Sequence, residues 1–361
     1  MNEEEKLSQI RERIDEIDLE IQDLLNQRAA AAQQVASIKL AENPDAVFYR
    51  PEREAQVLRQ VKQRNKGPLS NNDMARLFRE IMSTCLALEK PLCIAYLGPQ
   101  GTFTQAAASK HFGHAVRMQP MTAISDVFDE VEAGTCDYGV VPVENSTEGV
   151  ISHTLDMFIK SGLSICGEVS LRINQNLMSN AKSLADVKVL YSHEQSLAQC
   201  RGWLDRHLSH AERVAVNSNA EAARMAAADN NAAAIAGENA AGLYQLNILE
   251  RNIEDEPGNT TRFLVIGKQQ VPASGEDKTS LMLATKNEAG GLHALLSPFA
   301  EHDISMTRIE SRPSRRGIWD YVFFIDVLGH QDDAKVKLAF DQLKKKASLF
   351  KVLGSYPVAV L

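Results

Sequence analysis

The chain has 361 residues, 44% hydrophobic and 24% charged, which is too long for one compact core and ordinary for two or three globular domains. A net charge of −8 disfavours nucleic acid or an anionic membrane as main partner, since both call for basic patches. No apolar run approaches the roughly 20 residues of a membrane span. The opening MNEEEKLSQI has neither the basic nor the apolar region of a secretory signal, and Cys85, Cys93, Cys136, Cys166 and Cys200 form no CxxC pair, so a reduced, cytoplasmic setting is expected.

Residues 4–40 read as one helix without Pro or Gly, roughly 55 Å long, so it must protrude or pack against a second chain. Within it, Arg28 and Lys39 break a pattern. Measured from Arg28, the residues Ile10, Ile14, Ile17, Ile21, Leu24, Val35 and Lys39 all fall within about 40° on the helical wheel. A cation centred on an apolar stripe is costly unless an anion meets it. Pro44 ends the helix, and helical patterns resume at 53–63 and 72–88. Residues 1–91 therefore form an all-helical unit.

From Pro91 the character changes. Short apolar runs at 93–98, 138–144, 163–171, 188–193, 213–218, 232–237 and 262–267 read as strands. Helical segments lie between most of them, including 123–133, 195–208 and 220–228, an α/β pattern. The strands fall into two groups, which predicts two lobes around a cleft over 92–268. QQVPASGEDK (269–278) is a linker by composition. Residues 279–361 then read strand, helix, strand, strand, helix, strand, a small βαββαβ unit.

Arg11, Arg28 and Lys39 on one long helix, PERE at 51–54 and STCLALE at 83–89 resemble the all-helical chorismate mutases, over residues 5–90. The resemblance implies an intertwined dimer. In that family a dicarboxylate rearranges by a concerted step, so the enzyme has only to hold the reactive conformer and stabilise charge on the breaking ether oxygen. By the match, Arg28 and Arg53 hold carboxylates and Arg11 reaches in from the other subunit. Lys39 donates to the ether oxygen, Glu54 accepts from the ring hydroxyl, and Cys85 lines the site. Glu89 stands where some relatives have Gln. A carboxylate there helps only when protonated, as a buried acid can be. The competing reading is a coiled-coil dimerisation module, whose charges would belong beside the stripe rather than at its centre.

Three further stretches, YLGPQGTFTQ (96–105), VPVENSTEG (141–149) and NTTRFLVIG (259–267), join YSHEQSLAQC (191–200) in resembling prephenate dehydratase. No GK[ST] or GxGxxG motif supports a nucleotide site. The resemblance implies that Thr261 is the catalytic hydroxyl, with its role as an acid left open. It places Thr102, Glu144, Asn145, Ser146, Ser192, His193, Gln195, Thr260, Arg262 and Phe263 at the substrate. Plainer readings stand beside two of these: a loop histidine for His193 and a turn-anchoring carboxylate for Glu144. His111 and His114 suit a helix end, and neither metal nor cofactor is expected. A two-lobed solute receptor is the competing class, which turnover of prephenate would exclude.

Gly290-Gly291-Leu292 and Glu310-Ser311-Arg312-Pro313 resemble the effector-binding segments of ACT regulatory domains. The implied effector is L-phenylalanine, bound where two such domains meet; a constitutive dimerisation domain is the alternative. The three resemblances follow in the order of the bifunctional chorismate mutase/prephenate dehydratases. The expected protein is a multidomain homodimer that takes chorismate and prephenate as substrates, with the pairing of dimers into tetramers left open. A non-catalytic amino-acid sensor with degenerate enzyme units is the remaining alternative.

Overall fold

The computed structural model describes residues 2–44, 46–285, 288–313 and 321–361. Helix α1 (Glu3–Glu42) runs 40 residues, about 60 Å. It starts at a reciprocal cap in which Asn2 Oδ1 accepts from Glu5 N and Glu5 Oε2 accepts from Asn2 N. Acidic Glu3, Glu4 and Glu5 complement the positive helix end. Ala36 is its one buried residue, while Ile14, Leu24 and Ile38 stay 50%, 63% and 62% exposed. The apolar stripe is therefore uncovered in a single chain. Helices α2 (Pro51–Arg64) and α3 (Asn71–Glu89) pack on a cluster of Leu58, Ala75 and Met82. Val360 and Leu361, from the far end of the chain, cover the same cluster.

Two sheets follow. The first has strand order β2 (Arg117–Met121), β1 (Cys93–Leu97), β3 (Tyr138–Asn145), β11 (Thr260–Gly267), β5 (Ser164–Arg172). β1, β2 and β3 are parallel, and β11 runs antiparallel between β3 and β5. Helices α4 (Phe103–Phe112), α5 (Ile124–Ala133) and α6 (Ser152–Lys160) and the short strand β4 (Gly149–Val150) complete this lobe. The second lobe has order β10 (Asn247–Glu250), β6 (Asn176–Ser179), β9 (Ala232–Ala236), β7 (Val189–His193), β8 (Glu212–Val216). The chain enters this lobe after β5 and leaves it before β11, so two crossings join the lobes and a cleft lies between them.

Expectation and structure differ at several points. The helix expected over 195–208 is two, α7 (Glu194–Gln199) and α8 (Arg201–His207), because Asp255 accepts from Gly202 N at 2.7 Å and Trp203 N at 2.9 Å and starts the second one. Strands β2, β6 and β10 were not expected. In β2 three of five residues are exposed, so no apolar run marks it. Cys93 and Cys136 are joined as a disulfide with Cα atoms 4.7 Å apart. Parallel pairing of β1 with β3 brings the two together, a proximity that spacing along the chain does not reveal.

In the third unit, β12 (Asp277–Ala284), α11 (Gly291–Glu301), β13 (Met306–Pro313), β14 (Tyr321–Leu328), α12 (Ala334–Lys346) and β15 (Leu349–Pro357) form an antiparallel sheet of order β13-β14-β12-β15. Its helices cover one face through Leu295, Phe299, Phe340 and Leu343. The other face, with Met282, Phe324 and Leu353, merges into the core of the first lobe against Leu155, Phe158 and Ile165. At Gly354 a Cβ would lie 2.2 Å from the Ile165 carbonyl oxygen, so the close approach of β15 to β5 needs glycine there.

Candidate active sites

The helical unit gathers its charges at one end of α1. Lys39 Nζ donates to the Val47 carbonyl at 3.2 Å and lies 5.3 Å from the centre of the Phe48 ring. Glu54 is ion-paired with Arg79, and both are largely buried. Burial lifts the Glu54 carboxyl above its usual range, against the pull of Arg79 and then Arg28. Burial likewise raises Glu89, with Lys39 and Arg28 pulling the other way. Arg28 thus acts on both Glu54 and Glu89 and Lys39 on Glu89, with buried Cys85 one turn before Glu89. Arg11 and Arg53 are exposed. Arg11 lies 17 residues before Arg28 on the same helix, roughly 25 Å away, and is not part of this group.

If the helical unit is the mutase its sequence resembles and Glu89 must be protonated to serve the ether oxygen, activity falls as pH rises through the raised pKa of Glu89. Glu89→Gln, which keeps the donor at all pH values, is expected to flatten that limb. An unchanged limb in Glu89→Gln would rule the role out.

Between the two lobes lies a cleft of about 420 Å³. Its floor is the pair Asn145 and Thr261, opposite each other on β3 and β11. Asn145 Oδ1 accepts from Thr147 N at 3.0 Å and Glu148 N at 3.1 Å. That fixes the amide, so Nδ2 faces Thr261 and donates to its Oγ1 at 2.8 Å. Among the described residues no acceptor takes the Thr261 hydroxyl hydrogen, so it is left for a molecule in the cleft. Helices of both lobes begin at the cleft, among them α4, capped by Thr102, and α9 (Asn219–Ala227), capped by Ser218. Their first-turn N–H groups and positive ends suit an anion. His193 caps α7, and its Nδ1 accepts from Gln195 N at 3.3 Å, which places the proton of the neutral ring on Nε2. His193 and Gln195 both line the cleft.

Several expected residues lie elsewhere. Thr261 and Arg262 are neighbours on one strand and must face opposite sides. Arg262 points away from the cleft, to Glu168 at 2.8 Å, Asp326 at 2.5 Å and the Tyr356 hydroxyl at 2.9 Å. Glu144 follows it, pairing with Arg308 of β13 at 3.4 Å. Among the described residues no lysine or arginine lines the cleft. Phe263 is buried in the core beside Tyr96 and Ala107. Ser192 is fully buried, donating to Asn219 Oδ1 at 3.1 Å, and so holds a wall of the cleft from behind. Ser146 Oγ accepts from Thr260 N at 2.9 Å, and Thr260 Oγ1 donates to the Gly258 carbonyl at 3.1 Å, so this pair staples the turn to β11.

The sequence reading missed Arg79, Ser196, Ser218 and Asn219, which the structure brings to the two sites. Ser218-x-x-Glu221 is a helix-start pattern that marked Asn219. The pairing of Arg79 with Glu54 left no such sign. His111 is partly buried with Nε2 2.7 Å from the Tyr49 hydroxyl, and desolvation pushes its pKa down to about 3. His114 pairs with Glu80.

In the third unit Gly290 has φ +82 and starts α11, and Leu292 is 40% exposed. Glu310, Ser311, Arg312 and Pro313 end the edge strand β13. Among the described residues no hydrogen bond joins the two segments. Arg312, expected at the effector, instead grips Asp156 and Ser152 of α6 at 3.0 and 2.8 Å. An alternating edge strand sends Arg312 back onto the first lobe and leaves Ser311 and Pro313 exposed.

A helical unit, a two-lobed cleft and a βαββαβ unit define a multidomain enzyme class with a regulatory module. Three family models match in order: chorismate mutase type II over residues 10–90, prephenate dehydratase over 94–271 and the ACT domain over 279–344. The bifunctional chorismate mutase/prephenate dehydratase of Stutzerimonas stutzeri is 56% identical over 365 aligned positions, covering 100% of both chains. That of Pseudomonas aeruginosa is 55% identical, with the same coverage. The crystal structure of prephenate dehydratase from Arthrobacter aurescens in complex with L-Phe covers 74% of this chain and 90% of that one, at 34% identity and a TM-score of 0.68. The chain belongs to the bifunctional chorismate mutase/prephenate dehydratase family, with a C-terminal ACT domain.

Proposed function

We propose that this chain rearranges chorismate to prephenate in its helical unit and converts prephenate to phenylpyruvate in the cleft. L-phenylalanine acts as feedback inhibitor at the ACT domain. The observation that carries the dehydratase reading is the Asn145–Thr261 hydrogen bond at the cleft floor. In the reaction the bond from the ring to the carboxylate breaks and releases CO₂. Its electron pair enters the ring as the hydroxyl leaves, and a proton converts that hydroxyl to water. Aromatisation drives the step, so the protein has only to orient the substrate and assist the departing oxygen. Thr261 donates to that oxygen, and Asn145, donating to Thr261, strengthens the donor. The first turns of α4 and α9 receive the carboxylates in place of arginine.

In the mutase, Arg28 and Arg53 take the carboxylates, and Lys39 and protonated Glu89 face the ether oxygen. A second copy of the chain covers the exposed stripe of α1 and supplies Arg11. The prephenate dehydratase of Arthrobacter aurescens was crystallised in complex with L-Phe, which supports the effector. The test is a time course with chorismate, with and without L-phenylalanine. Prephenate followed by phenylpyruvate, with the second step slowed by L-phenylalanine, is the expected result. Prephenate alone would reject the role of Thr261, and no conversion would leave the sensor reading.

A further inference from the structure

We propose that Arg262 and Glu144 are positioning residues through which the ACT domain holds the Asn145–Thr261 pair in its working geometry, an inference that rests on the catalytic reading of Thr261. On β3 and β11, Thr261 faces Asn145 across the ladder and Arg262 faces Glu144. The first pair forms the cleft floor and the second, on the opposite face, meets the ACT domain. Each catalytic residue is thus bonded through the backbone to a residue that the ACT domain grips.

The grip on Arg262 is complete. Nε, Nη1 and Nη2 each have a partner, from Glu168, Asp326 and Tyr356 respectively. Ser280 ties the two ACT partners together, donating to Asp326 Oδ1 at 2.5 Å and lying 2.7 Å from the Tyr356 hydroxyl. Lys278 adds a second cation on Glu168 at 2.8 Å. These groups are nearly all buried, so removing one partner leaves an uncompensated charge and the strand must shift to relieve it.

The grip on Glu144 is incomplete. The Arg308 side chain is 8% exposed, and among the described residues its Nε and Nη2 have no hydrogen-bond partner, although Glu144 lies at 3.4 Å. A buried guanidinium with unmade hydrogen bonds is costly. A small movement of β13 toward β3 would make them. β13 also carries Glu310–Pro313, so a ligand at that segment and Glu144 act on one strand.

The experiment is steady-state kinetics of both reactions in the full chain for Asp326→Asn, Arg262→Lys, their double variant and Thr261→Ser. Asp326 belongs to the ACT sheet and does not line the cleft. Asp326→Asn is expected to lower dehydratase kcat about tenfold, with KM for prephenate within twofold and the mutase rate unchanged. Arg262→Lys should give the same split, and the double variant should be no worse than the poorer single one, since both break one link. If Arg262 instead holds substrate, Arg262→Lys raises KM and Asp326→Asn keeps wild-type kcat, which overturns the proposal. The mutase rate reports folding; should Asp326→Asn lose it, Glu144→Gln takes its place with the same expectation. Full dehydratase activity in Thr261→Ser, with no loss on replacing Thr261 by Val, would reject the catalytic reading itself.

Discussion

Replacing Thr261 by Val is expected to lower dehydratase kcat by about 10²–10³-fold, with the mutase rate of the same chain within a factor of two. Val keeps the shape and removes the hydroxyl. Two losses follow. The departing oxygen loses its donor at the moment its charge grows, and Asn145 Nδ2 loses its acceptor at 2.8 Å. The second loss is felt in the ground state as well, so it moves KM more than kcat. The first is felt only in the transition state. Thr261→Ser separates them, because it keeps the hydroxyl and frees its rotamer; about a tenfold drop in kcat is expected for it. A Val variant that retains a third or more of wild-type kcat would show that the elimination needs no donor from Thr261.

The backbone plan was legible because each signal had a local cause. α1 has an unbroken helical period and a stop before Pro44, both visible in order along the chain. The buried strands β1, β3 and β9 are short apolar runs, whereas β2 is polar and mostly exposed and gave no pattern. The site was legible by residue type but not by direction. Strand alternation forbids Thr261 and Arg262, or Glu144 and Asn145, from sharing a face. Only the packing of the ACT sheet on the first lobe reveals that the face opposite the cleft is covered, and so where Arg262 and Glu144 go. The same applies to Arg312, drawn onto Asp156. Arg79 was invisible for another reason: its partner Glu54 lies 25 residues away on a different helix, and no periodicity links them.

The uncovered stripe of α1 leads to a prediction that needs two chains. Arg11→Ala and Arg28→Ala, made singly, are each expected to lower mutase activity by at least 10²-fold, since each removes a charged anchor from the substrate. Co-expressed with different tags, the two inactive variants should recover about a quarter of wild-type mutase activity. Random pairing makes half the dimers hybrids, and a two-fold interface gives each hybrid one site with both defects and one with neither. The geometry requires this outcome if Arg11 serves the second subunit. Within one chain Arg11 lies roughly 25 Å from Arg28 along a straight helix, beyond the reach of one small dicarboxylate. The apolar residues that would bury between the helices are in place, with Ile10, Ile14, Ile21 and Leu24 each about half exposed or more. Fully burying such a side chain is worth about 1.5–3 kcal/mol, so covering the exposed half of each contributes about half of that, repeated along the whole stripe. A purified hybrid no more active than its parents would mean that Arg11 acts on its own chain's site or on none. The chain would then need another reason for a helix of 40 residues that buries only Ala36.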